Sequence, residues 1–383
     1  MAVLVVNAGS SSLKVAVFDE GLREVLAGRV TEIGGAARVE IGPLQGARVV
    51  PDHAAALALC FEGMEEAGIA VASLRAAAHR VVHGGAGLVA PCRVTEGVVA
   101  AVEACVPLAP LHNPANLTGI RAVAALVPDL PQYASFDTAF HGSVPEVAAR
   151  YAIPAEAEAL GLRRYGFHGI SYASVVRKVQ EMASGSVPER MLVFHLGNGA
   201  SACGIVQGRS VATTMGYSPL DGLTMGTRAG AIDGNAVLRL AEVHGIDGAA
   251  RILNRESGLL GLGGASDMRA LQRAGTEAAR FAVAHFCYWA VRHGGSLAAA
   301  MGGVDAVCFT GGIGENDARV RAEILRGLGF LGVGFDEAAN MAGAGVLHPA
   351  GADVAVWIVA AEEERQIAME AMQVMASERM GKA

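Results

Sequence analysis

One pattern of residues occurs twice in this chain, and the repeat limits the folds open to it. Residues LVVNAGSSSLKVAVF at 4–18 align with LVFHLGNGASACGIV at 192–206, a shift of 188 residues. Each copy has an apolar strand, a polar residue, a glycine in register, a loop of small residues and a second apolar strand. Two strands around such a loop predict a β-hairpin. The chain therefore has two halves that begin in the same way.

The segments that follow each hairpin support one plan for both halves. In the first half the pattern predicts strands at 24–31, 76–82 and 133–137, with helices at 52–67 and 113–126. In the second half it predicts strands at 209–214 and 306–310, with helices at 234–243, 246–255, 275–292 and from Asp317 onward. Three meandering strands followed by alternating helices and strands give a mixed sheet that is covered on both faces.

The composition favours a well-packed protein of two domains. A chain of 383 residues is longer than one hydrophobic core usually serves, and 52% of it is hydrophobic against 17% charged. The net charge of −7, without any cluster of lysines and arginines, argues against nucleic acid as a partner. The six cysteines have neither disulfide nor zinc spacing and stand mostly in apolar runs, as reduced core residues do: Cys60, Cys92, Cys105, Cys203, Cys287 and Cys308.

Two further features argue against a membrane or an exported protein. The first apolar run is only a few residues long and leads directly into a turn, so we expect no signal peptide. The most apolar long segment, 281–291, is too short to cross a bilayer. We therefore expect a soluble cytoplasmic protein.

The loop of the first hairpin is rich in hydroxyl groups. Backbone N–H groups in a turn of small residues can cradle phosphate oxygens, and hydroxyls add further donors. On this interpretation Ser10, Ser11 and Ser12 grip a phosphate together with Lys14. The alternative is an ordinary exposed turn, which has a similar composition. The second copy of the hairpin favours the phosphate site, with the two loops facing each other across a cleft.

A third glycine-rich segment, AVCFTGGIGENDARVRAEIL, lies at 306–325. The pattern predicts a strand, a tight glycine turn, and then a helix that begins at Asn316 or Asp317. A single G-x-G is a weak signal, because many strand-to-helix turns use it. After two matched hairpins, it is the natural site for the adenosine or the proximal phosphate of a nucleotide.

Together, eight motifs resemble those of the acetate kinases, from the first strand to the last helix: NAGSSSLK, HRVVHGG, APLHNPANLTGI, FDTAFH, RRYGFHGIS, FHLGNGAS, MGYSPLDGLTMGTRAG and FTGGIGEN. The resemblance implies an α/β fold of duplicated ribonuclease H-like domains, each with a βββαβαβα core, that face each other across a nucleotide cleft. Sugar kinases, the Hsp70 ATPase domain and actin share this fold. The implied domains are 1–140, rejoined by the C-terminal helix 365–383, and the nucleotide-binding domain 141–364.

The implied reaction is the reversible transfer of the γ-phosphoryl group of ATP to acetate, which gives acetyl phosphate and ADP. A carboxylate is already ionised at neutral pH, so it needs no general base to attack phosphorus. Catalysis then depends on in-line alignment and on stabilising the charge of the phosphoryl group. Arginine suits both tasks, because its planar fork matches phosphoryl and carboxylate oxygens.

By this resemblance Arg80 and Arg228 are the substrate and transition-state arginines, and His168 donates to the phosphoryl group as it transfers. Asp137, which would be the base in a sugar kinase, is assigned to positioning Arg228 or to the metal shell, and His112 has a supporting role. The acyl pocket comprises Val82, Leu111, Phe167 and Pro219. The nucleotide-binding residues are Ser10, Ser12, Lys14, His195, Leu196, Gly197, Asn198, Gly199, Asp267, Met268, Arg269, Gly311, Gly312, Ile313, Gly314, Glu315 and Asn316.

The resemblance also implies a divalent cation, Mg²⁺ with Mn²⁺ as an alternative, which bridges the nucleotide phosphates. Its ligands are Asn7 and a glutamate at the start of the last helix, best matched by Glu363. Because AAEEERQIA replaces the usual T-N-E-E lead-in, Glu364 stays open as the alternative ligand. A homodimer is expected from the family alone.

Two other segments depart from the family pattern. HGISY, with Ile170 and Tyr172, stands where H-G-T-S-H is typical, and Ala231 stands where a carboxylate close to the arginine loop is typical. Weaker activity or a shifted specificity would follow from such changes.

Several other functions stay open at this point. A kinase for propionate or another short-chain acid needs only one more methylene in the pocket. A sugar kinase of the same fold would need a polar pocket and a base, and a non-catalytic nucleotide-gated binding module would need neither arginine.

Overall fold

The structure, a computed structural model, describes residues 2–183, 185 and 187–380. The chain divides into two compact units. The first unit contains the residues up to Phe140 and those from Glu362 onward, and the second unit spans His141–Ala361. Residues 1 and 381–383 of the predicted N-terminal domain, and residues 184 and 186 of the predicted C-terminal domain, lie outside the described residues. Within the described part of the chain, no helix has the length and apolar content needed to span a membrane.

The first unit contains an eight-stranded sheet. Its strands are β1 (Ala2–Gly9), β2 (Ser12–Asp19), β3 (Glu24–Thr31), β4 (Gly35–Ile41), β5 (Leu44–Val50), β6 (Leu74–Val81), β7 (Cys92–Arg93) and β8 (Gln132–Phe136). Their spatial order is β5-β4-β3-β2-β1-β6-β8-β7. β1 pairs antiparallel with β2 and parallel with β6, and β6 pairs parallel with β8.

The second unit contains a five-stranded sheet. Its strands are β9 (Arg190–Leu196), β10 (Ala200–Val206), β11 (Arg209–Thr213), β12 (Ala306–Thr310) and β13 (Ala355–Ile358), and their order is β11-β10-β9-β12-β13. The run β3-β2-β1-β6-β8 of the first sheet follows the same plan as this five-stranded sheet. Each has three antiparallel strands and then two strands parallel to the first strand in the chain. The structure thus confirms the duplicated α/β architecture that the repeated hairpin predicted and that the family resemblance implied.

Helices cover both sheets. They are α1 (His53–Glu66), α2 (Glu96–Ala104), α3 (Asn113–Leu126), α4 (Glu146–Ala149), α5 (Ala155–Glu158), α6 (Gly169–Met182), α7 (Gly234–Arg251), α8 (Gly258–Gly263), α9 (Met268–Ala274), α10 (Glu277–Met301), α11 (Gly311–Asn316), α12 (Ala318–Gly327), α13 (Glu337–Ala342) and α14 (Glu363–Met380). In α7, Gly245 has a φ of 72° and interrupts the helix. The prediction of separate helices on its two sides reflects this break.

Several predicted elements have the observed bounds, including β3, α3 and β12. The pattern missed the β4–β5 hairpin, because five consecutive residues of β5 are exposed and give no alternation. It also ended α10 nine residues early, at 292, where Gly294 and Gly295 follow. Gly294 continues the helix because it faces the sheet: a Cβ there would lie 2.9 Å from Phe194 Cζ.

The glycine-rich segment after β12 differs most from its prediction. GGIGEN forms the short helix α11 in place of the predicted tight turn. The predicted helix follows as α12, with Asp317 as its N-cap residue. Gly311 begins α11 with a φ of 79°, and a Cβ there would lie 2.8 Å from the carbonyl oxygen of Leu196. The close approach of α11 to β9 therefore requires glycine at this position.

All six cysteines have free thiols, and five of them are buried. Cys60 packs in the core of the first unit with β-strand and α1 residues. Burial raises the pKa of its thiol to about 12, so it stays protonated at neutral pH. The prediction of reduced core cysteines is confirmed, with Cys92 only half-buried.

Candidate functional site

The phosphate loop predicted in the first unit is a tight hairpin. Gly9 pairs with Ser12, so only Ser10 and Ser11 form the turn, and both are exposed. The other residues predicted to grip the phosphate, Ser12 and Lys14, belong to β2. Asn7 pairs with Lys14 across the hairpin, close to the carboxyl end of β1. The turn is held from α1, because His53 Nε2 lies 2.7 Å from the carbonyl oxygen of Gly9.

Arg80 and the buried Asp137 form an ion pair in the first unit. Arg80 lies on β6 and Asp137 follows β8, the parallel neighbour of β6. Arg80 Nε donates to both carboxylate oxygens at 3.1 Å, and Nη2 donates to Oδ2 at 2.7 Å. Burial raises the pKa of the Asp137 carboxyl, while the charge of Arg80 and its hydrogen bonds oppose this shift. Sequence reasoning gave Asp137 another partner, Arg228 or a metal shell.

Glu363, the first residue of α14, also lies near Arg80. Its Oε2 is 3.7 Å from Arg80 Nη1, and its side chain is 17% exposed. Arg80 is thus held between two carboxylates, with Asp137 the closer. Asp137 and Glu363 hold the pKa of Arg80 above its ordinary value, despite burial, so the guanidinium stays charged.

The two acyl-pocket residues of the first unit differ in exposure. Val82 directly follows β6 and is 8% exposed. Leu111 precedes α3 and is 45% exposed. It therefore does not form a fully buried wall of the predicted acyl pocket. His112 is the N-cap residue of α3, without a side-chain capping bond.

His168 and His195 lie face to face in the second unit. Their rings stack with centroids 4.1 Å apart. His168 precedes α6 in a left-handed conformation, φ 58°, and its Nδ1 lies 2.8 Å from Ser201 Oγ. Ser201 Oγ in turn lies 2.5 Å from the hydroxyl oxygen of Tyr172. Tyr172 therefore supports His168 through Ser201.

Arg228 lies close to His168 at the second hairpin loop, Gly197–Gly199. A Cβ on Gly199 would be 3.4 Å from His168 Nε2 and 3.7 Å from Arg228 Nη1. Arg228 Nη1 donates to the carbonyl oxygen of Pro219 at 3.0 Å. Burial lowers the pKa of Arg228, and no carboxylate pairs with it among the described residues. Its guanidinium therefore forms no salt bridge with the described residues of the second unit. The remaining acyl-pocket residue, Phe167, is buried.

A cavity of about 600 Å³ is lined in part by Gly197 and Asn198 of this loop. It unites three of the segments that sequence reasoning assigned to the nucleotide. Its wall includes Gly197, Asn198, Asp267, Met268, Arg269, Gly312, Ile313 and Asn316. The volume is in the range of cavities that hold a small ligand or cofactor.

The other predicted nucleotide residues of the second unit are not among those that line this cavity. His195 bonds through Nδ1 to Ser171 Oγ at 2.8 Å, and Leu196 is buried. Glu315 Oε1 accepts from the N–H groups of Gly311 and Ala361, both at 3.0 Å. Its carboxylate thus holds α11 to the segment after β13. Gly314 accepts through its carbonyl from the buried Arg321.

The metal prediction rests on the side-chain oxygens of Asn7 and Glu363. Within the described residues, no three His, Cys, Asp or Glu side chains form a metal cluster. One or two protein oxygens suit Mg²⁺, which keeps several waters and binds substrate phosphates rather than a protein cage. An amide oxygen and a carboxylate at the edge of one sheet fit such an ion.

Comparisons with known proteins agree on one family. The model of the acetokinase family matches residues 2–369. An acetate kinase of Deinococcus radiodurans is 46% identical over 388 residues, which cover 97% of each chain. The crystal structure of Porphyromonas gingivalis acetate kinase matches with a TM-score of 0.91 and 34% identity, over 98% of this chain and 99% of the other. A Francisella tularensis propionate kinase matches with a TM-score of 0.91 and 33% identity, over 96% and 98%.

Proposed function

The chain belongs to the acetokinase family, and from this premise we propose that it transfers the γ-phosphoryl group of ATP to acetate, giving acetyl phosphate and ADP. One observation carries the proposal furthest. Gly197 and Asn198 line a cavity of about 600 Å³, and the side chains of His168 and Arg228 lie beside the next residue of the loop, Gly199. A nucleotide in that cavity would have its phosphates beside two groups suited to phosphoryl transfer.

Arg228 stabilises the charge that spreads over the phosphoryl oxygens during transfer. No carboxylate in the described part of the second unit competes for its guanidinium, and burial strengthens its interaction with an anion. His168 donates a hydrogen bond to the same group. If Tyr172 donates to Ser201 and Ser201 donates to His168 Nδ1, the imidazole carries its proton on Nε2, the atom next to Gly199.

Arg80 binds the carboxylate of acetate. Its guanidinium is oriented by three hydrogen bonds to Asp137 and by the nearby Glu363, so little conformational entropy is lost when acetate binds. Asp137 acts here as a positioning residue rather than as a base, because acetate has no proton to remove at neutral pH.

The divalent cation is Mg²⁺, held by Asn7 and Glu363, with Glu364 the alternative. Bound Mg²⁺ neutralises phosphate charge during transfer. Asn7→Ala should raise the magnesium concentration for half-maximal turnover more than it raises the KM for acetate. Calorimetry with Mg²⁺ and a non-hydrolysable ATP analogue gives an independent readout. An unchanged magnesium titration in both measurements would remove Asn7 from the site.

The enzyme works in the cytoplasm as a homodimer. Six free cysteines suit a reducing compartment. Exposed apolar side chains on α7 and α10 suit a surface covered by a second copy: Leu238, Val243, Ile246, Phe281 and Tyr288. Light scattering should give twice the mass of the chain, and Ile246→Asp combined with Tyr288→Asp should reduce it. A monomeric mass for the unaltered protein would reject this proposal.

Trapping the acyl phosphate tests the central proposal. The protein is incubated with ATP and magnesium, with acetate, propionate or no acid, and hydroxylamine converts any acyl phosphate to a hydroxamate. Acetate should give the hydroxamate at the higher specificity constant, and the blank should give none. ADP release without hydroxamate in every mixture would instead indicate a nucleotide-gated module.

A further inference from the structure

Asn116, on α3, joins two separate parts of the site in the first unit. Its Nδ2 donates to the carbonyl oxygen of Ala8 at 2.9 Å, and its Oδ1 accepts from the N–H of Val82 at 3.0 Å. The side chain is almost fully buried, at 3% exposed. Both ends of one amide group are therefore used, and each end contacts the main chain of a different strand end.

The two partners lie at the carboxyl ends of neighbouring parallel strands. Ala8 precedes the Gly9–Ser12 turn of the first hairpin, and Val82 follows β6 and Arg80. The register of β1 with β6 runs from Ala2↔Leu74 to Val6↔His79 and extends no further. Beyond this point, the Asn116 side chain connects the two strand ends. Its planar amide sets the distance between them.

The packing of α3 makes this bridge rigid. Gly119, one turn after Asn116, faces β1 so closely that a Cβ there would lie 3.1 Å from Ala8 Cβ. Asn113, one turn before Asn116, accepts from the N–H of His83 at 3.1 Å and donates to the His83 carbonyl at 3.0 Å. Asn113 also donates to the Val102 carbonyl at 3.3 Å, so it ties the segment after β6 to α2, whereas Asn116 ties that segment to Ala8.

We propose that Asn116 is a positioning residue that fixes the phosphate hairpin, at Ala8, relative to the carboxylate-binding segment, at Val82. The proposal rests on the function proposed above, because it takes the hairpin as a phosphate site and Val82 as an acyl-pocket residue. Asparagine suits the role because it offers a donor and an acceptor in one plane. Without it, two buried main-chain groups would lose their partners.

Three variants separate positioning from stability. Asn116→Ala should raise the acetate KM and weaken the binding of a non-hydrolysable Mg²⁺–ATP analogue, each by roughly tenfold, the equivalent of one hydrogen bond. Asn113→Ala should raise the acetate KM alone. Gln132→Ala, which removes a bond to His79 elsewhere in the same sheet, should lower the melting temperature and leave both constants unchanged. Calorimetry measures analogue binding without turnover.

A fourth variant covers the case in which Asn116→Ala does not fold. Asn116→Asp keeps the acceptor for Val82 but offers no donor to Ala8, so it should weaken analogue binding and leave the acetate KM nearly unchanged. The proposal is overturned if Asn116 variants lower the melting temperature without changing either constant, or change the same single constant as Asn113→Ala. If the unaltered protein forms no acetyl phosphate yet Asn116→Ala still weakens analogue binding, the proposed function fails and the link to the phosphate hairpin stands.

Discussion

At the scale of single residues, the two arginines have opposite surroundings. Arg80 makes three hydrogen bonds to the buried Asp137 and lies near Glu363, which fixes its orientation. Arg228 has a backbone carbonyl as its closest acceptor and no carboxylate among the described residues. An arginine with a fixed orientation suits recognition of a ground-state carboxylate, while one without a carboxylate partner suits charge that develops during the reaction.

Replacing Arg228 should separate turnover from nucleotide binding. Arg228→Lys keeps the charge without the bidentate fork, so we expect a large loss of turnover with nearly unchanged nucleotide affinity. Arg228→Ala should lose about 10³-fold or more, as arginines in this role do. Added guanidine should restore part of that loss. Turnover, nucleotide affinity and melting temperature are measured on both variants.

A structural role for Arg228 would give another result. Near-normal turnover in both variants, or turnover lost only in step with the melting temperature, would contradict the proposed role.

Val82 allows a test of acid specificity. Val82→Ala removes two methyl groups from a residue that is 8% exposed and leaves its main-chain bond to Asn116 intact. The extra space should favour propionate, by a factor equivalent to ~1 to 3 kcal/mol. The specificity constants for acetate and propionate are compared, with Leu111→Ala as the exposed counterpart. An unchanged ratio in Val82→Ala would exclude this side chain from the pocket.

At the scale of elements, the proposed site residues follow the carboxyl ends of parallel strands. In the first unit Gly9, Val82 and Asp137 follow or end β1, β6 and β8. In the second unit Gly197 follows β9 and Gly311 follows β12. Ligands of open α/β sheets bind at this edge, where loop and helix N–H groups are not used by strand pairing.

The second hairpin loop yields a prediction for Gly199. Gly199→Ala places a methyl group at ordinary contact distance from His168 Nε2 and Arg228 Nη1, at 3.4 and 3.7 Å. The fold should tolerate it, with a melting temperature close to that of the unaltered protein. Turnover should fall by at least tenfold, because the methyl group occupies the space between the two side chains. Gly329→Ala, where a Cβ would meet nothing within 4 Å, is the control.

One outcome for Gly199→Ala would contradict this prediction. Full turnover at an unchanged melting temperature would show that the phosphoryl group does not pass between His168 and Arg228.

At the scale of the whole molecule, buried histidines make stability depend on pH. Burial lowers the pKa of His79, in the first unit, and of His141, in the second, to about 4 each. In the unfolded chain both titrate near 6.5. The unfolded state therefore binds more protons between these values. The stability they contribute is complete above pH 6.5 and is lost as the pH falls towards 4.

Unfolding in urea measures this effect. The free energy of unfolding should fall by about 2 kcal/mol per histidine from pH 7 to pH 5. His79→Gln and His141→Gln should each remove the part of the pH dependence that the replaced histidine contributes. A free energy of unfolding that stays constant across this range would show that these histidines are protonated in the folded protein or accessible to water.

The sequence by itself determined the duplication, the three meandering strands that begin each half and the segments predicted to carry the chemistry. Alternation, glycine turns and apolar runs are local signals, and they sufficed for both hairpins, for β12 and for α3. The sequence pattern did not predict the β4–β5 hairpin or β13, because an exposed edge strand and a short strand carry little local pattern. The motifs pointed to Arg80, His168 and Arg228, and their roles stay predictions.

Only the tertiary structure decided which groups meet. Asp137 pairs with Arg80 because β6 and β8 are parallel neighbours, a fact absent from the spacing of 57 residues between them. Asn116 is one of several polar residues in the motif APLHNPANLTGI. Nothing in the local sequence shows that its two amide atoms bond to Ala8 and Val82. Residue types follow from local pattern, whereas hydrogen-bond partners depend on strand order and helix packing, which bring together distant parts of the chain.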